Sequence, residues 1–427
     1  MKVMLQKMLM AVLILSLPMF AQQDLKALVL NTIGENVSEV NLTSGAVNSN
    51  ATTAGLFTNQ IRVQDGIAYV VNSGLNEVQI FNPQDYTSLG TIDVGNSTNP
   101  WAIEFLTGNE AAVSLLLTDQ VAIVDIATQQ VITNISVGNG PEGMIFRDGM
   151  LYVANSGFNG TGYDPGTVSV IDVASRIVVD TIDVNINPQA LGFDSQGRLI
   201  VCTTGDFGSV TGNIEIVDVQ QGSVVQSIPT GAFTSNIVVS ASDKVFAATF
   251  GAGVLVYDLN TGTFDRDGTN PLAGGPGLYA LTSGEVLVTD FSNDSLFHYA
   301  SDFSRIGSWL VGDGPVSVAV VNEPVSGIED QANAFSSFRL ESNYPNPFNP
   351  TTTIRYELSS AGSVRLDVLD VTGAIVKTLV QDAQAIGTYQ VDWDATNQVG
   401  NAVTSGLYFY RLIHDGSSVT RKMTLLR

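Results

Sequence analysis

The feature that most constrains this chain is a repeat of short alternating strands with a period of about 40–45 residues. YVVNSGLNEVQIFN (69–82) and YVANSG…GTVSVID (152–172) carry it most clearly. Each is an apolar strand, a small-residue turn and a second strand closing on Asp or Asn. Following that second strand gives VSEVN (37–41), VQIFN (78–82), VAIVD (121–125), VSVID (168–172), IEIVD (214–218), VLVYD (254–258) and LFHYA (296–300). Their starts lie 41, 43, 47, 46, 40 and 42 residues apart. One such unit cannot bury both of its faces, so neighbouring copies must stack.

A third strand follows in most copies, as in TIDVG (91–95), NISVG (134–138) and TIDVN (181–185). A fourth begins near Pro or Asn: NQI (59–61), NPWAI (99–103), GPEGM (140–144), NPQAL (187–191), SNIVV (235–239), GPGLY (275–279) and GPVSV (314–318). Four short strands per unit make a blade, and the reading is an all-β, seven-bladed β-propeller over residues 24–321. The first copy holds only three strands, starting at ALVLN (27–31), and GPVSVAV (314–320) is left over after the seventh. These pieces are expected to pair in one mixed blade that joins the two ends.

The blades resemble the YVTN family of seven-bladed propellers, whose repeats read like YVTN…VSVID…VVATIPVG…P.G. The third repeat, YVANSG…VSVIDVASRIVVDTIDVNINPQAL, is close to that pattern, whereas VFAATFGAGVLVYD keeps only its outline. The resemblance covers about residues 27–321 and implies a fold; one scaffold of this kind hosts many activities.

After Val321 the repeat stops, and residues 322–337 read as a polar linker. SNYPNPFNPTTTIRYEL (342–358) follows, with three prolines that forbid a helix. TTIRYEL, SVRLDVLD, TLV, TYQVDWD, GLYFYRLI and TRKMTLLR are short strands between turns. They predict a small Ig-like β-sandwich over residues 338–427.

This segment resembles the flagellar-hook-capping type of Ig-like domain used as the type IX secretion sorting module. YPNPFNPTTTIRY, LDVLDVTGAIVKTL and GTYQVDWDATNQVGNAVTSGLYFYRL carry the likeness. It implies a sorting motif at Asn343, Tyr344, Pro345, Asn346, Pro347, Phe348, Asn349, Pro350, Gly406, Tyr408 and Lys422. It also implies the type IX secretion machinery as partner, and passage to the cell surface or medium.

Residues 1–21 are expected to be a secretory signal peptide: Lys2 and Lys7 precede an apolar run, Pro18 breaks it, and Ala21 is small. No other apolar stretch reaches membrane-spanning length, so a mature protein without a transmembrane segment is expected. The net charge of −23 is carried by the middle of the chain: residues 24–334 hold eight Lys/Arg against 33 Asp/Glu, while 335–427 balance at eight each. Such an acidic surface repels nucleic acid and anionic membranes.

A catalytic constellation is hard to assemble. The two histidines, His298 and His414, fall in different domains, which excludes a His-rich zinc site. His298 takes the strand position of Ile80, Ile123, Val170, Ile216 and Val256, a core-facing slot; Glu39 is its equivalent in the first repeat. Cys202 sits in the apolar run LIVCTTG and reads as a buried structural thiol. No cofactor motif is found; DRDGTN (265–270) lacks the later carboxylate of a calcium loop and reads as a turn, as do NGTGYDPG (159–166) and GDFGSVTG (205–212), whose Asp and Asn could still hold Ca²⁺.

Propellers commonly hold ligands at the mouth of the central channel. The residues expected there are Gln60, Trp101, Glu142, Gln189, Asn236, Gly277 and Val316, an amide-rich arc suited to an extracellular glycan or protein ligand. The function expected is therefore non-catalytic binding at the cell surface. The alternative is a lactonase- or lyase-like enzyme, which needs several convergent titratable groups where this arc has only Glu142.

Overall fold

The structure is a computed structural model that describes residues 24–323, 338–340, 343, 345–346, 348–358, 361–370, 375–414 and 417–426. The expected signal peptide (1–21), nearly all of the linker, Tyr344 and Pro347 lie outside these residues. Among the described residues there is no helix, and therefore none long and apolar enough to cross a membrane.

Residues 24–323 form seven four-stranded antiparallel sheets, none closed on itself. Six are simple meanders. The second sheet is Thr58–Gln64, Ile67–Asn72, Glu77–Phe81 and Ser88–Asp93; the third is Pro100–Phe105, Glu110–Leu115, Gln120–Asp125 and Gln130–Ser136. The fourth is Pro141–Arg147, Met150–Asn155, Thr167–Asp172 and Ile177–Asp183; the fifth is Pro188–Phe193, Leu199–Gly205, Thr211–Asp218 and Ser223–Pro229. Thr234–Val239, Lys244–Thr249, Val254–Asp258 and Thr263–Arg266 make the sixth, and Leu278–Ala280, Val286–Asp290, Ser295–Tyr299 and Arg305–Leu310 the seventh.

The first sheet is different. Its strands Lys26–Asn31, Asn36–Asn41 and Val47–Thr53 come from the start of the domain, and Pro315–Val321 from its end. Val29 pairs with Val318 and Ala27 with Val320, so the expected union of the two end pieces is present. Asn322 Nδ2 donates to the Asp24 carbonyl at 3.2 Å, which leaves the two ends of this domain side by side.

The alternation of each strand explains how the sheets associate. On Lys26–Asn31, Leu28 and Leu30 pack toward the second sheet, while Ala27 and Val29 pack toward the seventh. On Ile67–Asn72, Ala68 and Val70 face the first sheet, and Tyr69 and Val71 face the third. An apolar cluster of this kind lies between every pair of consecutive sheets, including the seventh and first. Strands buried on both sides therefore read as continuous apolar runs. Each fully buried Val or Leu stabilises the stack by about 1.5–3 kcal/mol. The first strand of each sheet lies against the first strand of the next, and Leu278–Ala280 lies against Pro315–Val321.

The C-terminal part has two sheets. Phe338–Leu340, Thr352–Leu358 and Gly387–Trp393 form one; Ile375–Gln384, Gly362–Leu369, Gly406–His414 and Ser417–Leu425, in that order, form the other. Trp393, Tyr356, Tyr410 and Phe348 fill the space between them. Two strands depart from expectation. Phe338–Leu340 is too short to show alternation, and the strand expected at TLV runs from Ile375 to Gln384 because its half-exposed edge tolerates polar residues.

Candidate functional site

In an antiparallel meander, the first strand begins at the end where the second turns into the third and where the previous sheet hands over. Hydrogen bonds between sheets bring these beginnings together at one end of the domain. Ser73 Oγ donates to the Pro100 carbonyl at 2.7 Å, Ser114 Oγ to the Glu142 carbonyl at 2.6 Å, and Thr204 Oγ1 to the Thr234 carbonyl at 2.6 Å. Ser317 Oγ accepts the Ile61 N–H at 3.2 Å.

The expected arc falls at this end, but its residues occupy two adjacent strand positions. The ladder skips one residue near the start of each first strand, as between Thr58 and Gln60, Pro188 and Ala190, Thr234 and Asn236. Trp101, Glu142, Gln189 and Val316 stand at the skipped position, where a bulge re-aims the side chain. Gln60, Asn236 and Gly277 stand one residue further along; the true equivalents in the second and sixth sheets are Asn59 and Ser235. Gln60 and Asn236 bind sheet to sheet instead: Gln60 Oε1 accepts the Ile103 N–H at 2.8 Å, and Asn236 Nδ2 donates to the Pro276 carbonyl at 3.2 Å. Trp101 is half-buried against the core between the third and fourth sheets, and Gln189 Nε2 lies 3.4 Å from Asn187 Oδ1.

Glu142 is the chemically distinctive member. It is buried, its Oε2 has no hydrogen-bond partner, and burial pushes its carboxyl up to about 8. Asn187 is also fully buried, with its amide set beside the Tyr163 hydroxyl. Tyr163 is beside both: burial raises its phenol, the Glu142 charge adds to this, and Asn187 opposes it. Burial likewise pushes the nearby Cys202 thiol up to about 12, as an inert structural cysteine requires.

Around these groups the loops carry aromatic rings that the sequence reading did not single out. Phe158 meets Tyr163 at 5.8 Å between ring centres and Tyr163 meets Phe207 at 6.2 Å, both tilted, while Phe207 meets Phe250 edge-on at 5.3 Å and Phe233 at a tilt at 5.5 Å. Phe207 is 44% exposed, Phe250 54%, and Phe57 at the same end 72%. Phe57 and Phe207 hold left-handed backbones, with φ of 52° and 56°, which costs a bulky residue about 1–2 kcal/mol. The Phe207 loop is locked by Asp206, whose Oδ1 accepts the N–H groups of Gly208 and Val210 at 2.8 Å each.

The two ends of the domain differ sharply. Large exposed apolar residues of residues 24–323 lie either on the outermost strands or in the loops of this end, never in the loops opposite. The loops of this end contain no Lys or Arg. Their acids, such as Asp119, Asp206 and Asp294, accept backbone N–H groups. At the other end a groove of about 540 Å³ lies between the third and fourth sheets, where Arg176 pairs with Glu110 at 2.7 Å and Asp125 and Asp172 cap turns.

The remaining sequence candidates are structural. His298 is buried, with Nε2 2.8 Å from Glu285 and its ring near Trp309. Glu39 binds Lys26 and Tyr86, so the two do not meet. In DRDGTN, Asp267 accepts from Thr269 while Asp265 pairs with Lys244 at 2.5 Å. No group of three or more His, Cys, Asp or Glu is placed to hold a metal among the described residues.

The motif residues of the C-terminal part divide by burial. Asn343 Nδ2 donates to Thr352 Oγ1 at 2.8 Å, and its N–H to the Tyr410 hydroxyl at 2.9 Å. Phe348 is buried 5.5 Å from Trp393, and its N–H and carbonyl bond Thr424 and Leu426. Pro345, Asn346, Asn349 and Pro350 are exposed, although Asn346 Oδ1 accepts the Thr424 N–H at 2.9 Å. Gly406 is exposed and opens its strand, Tyr408 donates to the Thr404 carbonyl at 2.8 Å, and Lys422 pairs through its backbone with Phe409.

Residues 347–414 match the family described as FlgD Ig-like domain. No curated protein matches the chain. Among solved structures, the chain is similar to Kuenenia stuttgartiensis hydrazine synthase, with a TM-score of 0.52 and 18% identity over 61% of this chain and 89% of that one. It is also similar to a functionally unknown protein from Desulfotomaculum acetoxidans DSM 771, with a TM-score of 0.54 and 14% identity over 69% and 98%. At these identities the likeness is one of fold.

Proposed function

We propose that residues 24–321 form a seven-bladed β-propeller of the YVTN type, and that the protein is an exported, non-catalytic binding protein of the cell surface or medium. The ligand face is the end where the first strands begin. One observation carries this reading: exposed aromatic rings gather at an end whose loops hold no Lys or Arg, around the buried Asn187 and a Glu142 whose Oε2 has no partner.

In this reading residues 1–21 direct the first membrane crossing, and the Ig-like part engages the type IX secretion machinery for the second. The FlgD-type match and the resemblance of the YPNPFNP segment support it. Host fractionation with intact-mass measurement tests it: an extracellular species lacking residues 1–21 is expected. A chain without residues 338–427 is expected to stop in the periplasm, and its appearance outside the cell would overturn the sorting role.

A further inference from the structure

The aromatic end has a definite chemistry, and the inference drawn from it rests on the binding reading above. We infer that the surface formed by Tyr163, Phe207 and Phe250, with Glu142 and Asn187 beneath it, binds a neutral polysaccharide.

Three observations select this ligand class. The exposed surface is built of rings in sequence, from the fourth to the sixth sheet. Flat aromatic faces suit the C–H faces of sugar rings, and the series offers successive platforms along a chain. The polar groups beneath the rings are neutral in kind: the buried amide of Asn187 beside the Tyr163 hydroxyl, and the Glu142 carboxyl, which stays protonated up to about pH 8. Sugar hydroxyls both donate and accept, so they match such a pair. Finally, the end has no Lys or Arg to receive carboxylate, sulfate or phosphate, and the surrounding domain is strongly acidic.

A basic protein segment would also be drawn to an acidic domain. Of the carboxylates of this end, Asp119, Asp206 and Asp294 accept backbone N–H groups, while Glu35, Asp164 and Asp313 are exposed, so the polylysine comparison below separates the two ligand classes.

The pre-shaped Phe207 loop strengthens the case. Its left-handed backbone and its Asp206 anchor hold the ring in place before any ligand arrives. A platform held this way loses little conformational freedom on binding.

Native affinity electrophoresis of the mature full chain tests the inference. Gels carry soluble β-glucan, mannan, xylan or galactan, with polygalacturonate and polylysine as charged comparisons. Retardation by at least one neutral polymer is expected. Phe207→Ala and Phe250→Ala should each weaken it about tenfold or more. Phe207→Tyr, which keeps the ring, should restore it, and Ile306→Ala on an outermost strand should not change it.

Failure of every neutral polymer to retard the chain would overturn the inference, as would retardation that survives loss of both Phe rings. Retardation by polylysine alone would also overturn it, while leaving a binding face in place. None of these outcomes touches the export reading, which fractionation decides separately.

Discussion

Val29 and Val318 are direct partners in one antiparallel sheet, one from the first strand of the domain and one from its last. Both are buried, and both pack toward the seventh sheet. This pair makes the first sheet depend on the last strand of the domain to be synthesised, so the stack has no complete first sheet until residue 321 is in place.

Val318→Asp is therefore expected to cost the domain about 3 kcal/mol or more, because the new carboxylate is buried without a partner. Val318→Ile should cost under about 1.5 kcal/mol. Urea unfolding followed by tryptophan fluorescence checks both. An unchanged midpoint for Val318→Asp would mean that the domain holds together without this strand.

A second prediction concerns the asparagines that end the second strands. Asn155 Nδ2 donates to Thr167 Oγ1 and Ser169 Oγ, holding the corner between two strands, and Asn31 does the same with Asn36 and Ser38. Glycine lies against each: a Cβ on Gly138 would stand 2.7 Å from Asn155 Nδ2, and one on Gly312 2.5 Å from Asn31 Nδ2. Gly138→Ala is expected to destabilise by about 1–3 kcal/mol through overpacking. Adding Asn155→Ala should recover part of that loss, and a double-mutant cycle measures how much.

Glu142 gives the protein a pH dependence. In the unfolded chain its carboxyl ionises near the ordinary value of 4.5; in the folded protein burial holds the proton up to about pH 8. Between those values the folded state binds more protons than the unfolded state. Stability is therefore greatest below pH 4.5 for this group and falls as pH rises toward 8. Glu142→Gln should reduce that fall by at least about 1 kcal/mol, read from urea midpoints at pH 5 and pH 8. Parallel profiles for the two proteins would mean that Glu142 is already ionised at pH 5.

In the Ig-like part, Phe348→Ala is expected to cost about 3–5 kcal/mol, because it empties the space beside Trp393. Asn343→Ala should cost about 1–3 kcal/mol by leaving the buried Thr352 hydroxyl, which itself donates to the Pro345 carbonyl, without its donor. Asn349→Ala, exposed, should change stability by less than about 0.5 kcal/mol. Thermal unfolding monitored by circular dichroism separates the three.

The strands were legible because burial on both sides writes itself as apolar runs such as YVVN and LIVCTTG, with turns of Gly and Asn between them. The pairing of residues 314–320 with 27–31 was legible from counting alone. Strand register was not. A single skipped residue at the start of each first strand moves Gln60 and Asn236 out of line with Glu142, and no residue type marks the skip.

The aromatic end was illegible for another reason. Phe57, Tyr163, Phe207 and Phe250 come from loops of unequal length with no shared spacing, and only the folded loops bring the last three together. The one signal available was the absence of Lys and Arg from those connections, which becomes visible once loops are sorted by the end they occupy.

The contact between Asp24 and Asn322 fixes how the domain would be displayed. Both residues lie where second strands begin and first strands finish, on the side away from the Phe rings. A mooring applied through chain beyond residue 323 would therefore grip the back of the domain and leave the aromatic front unobstructed by its own tether.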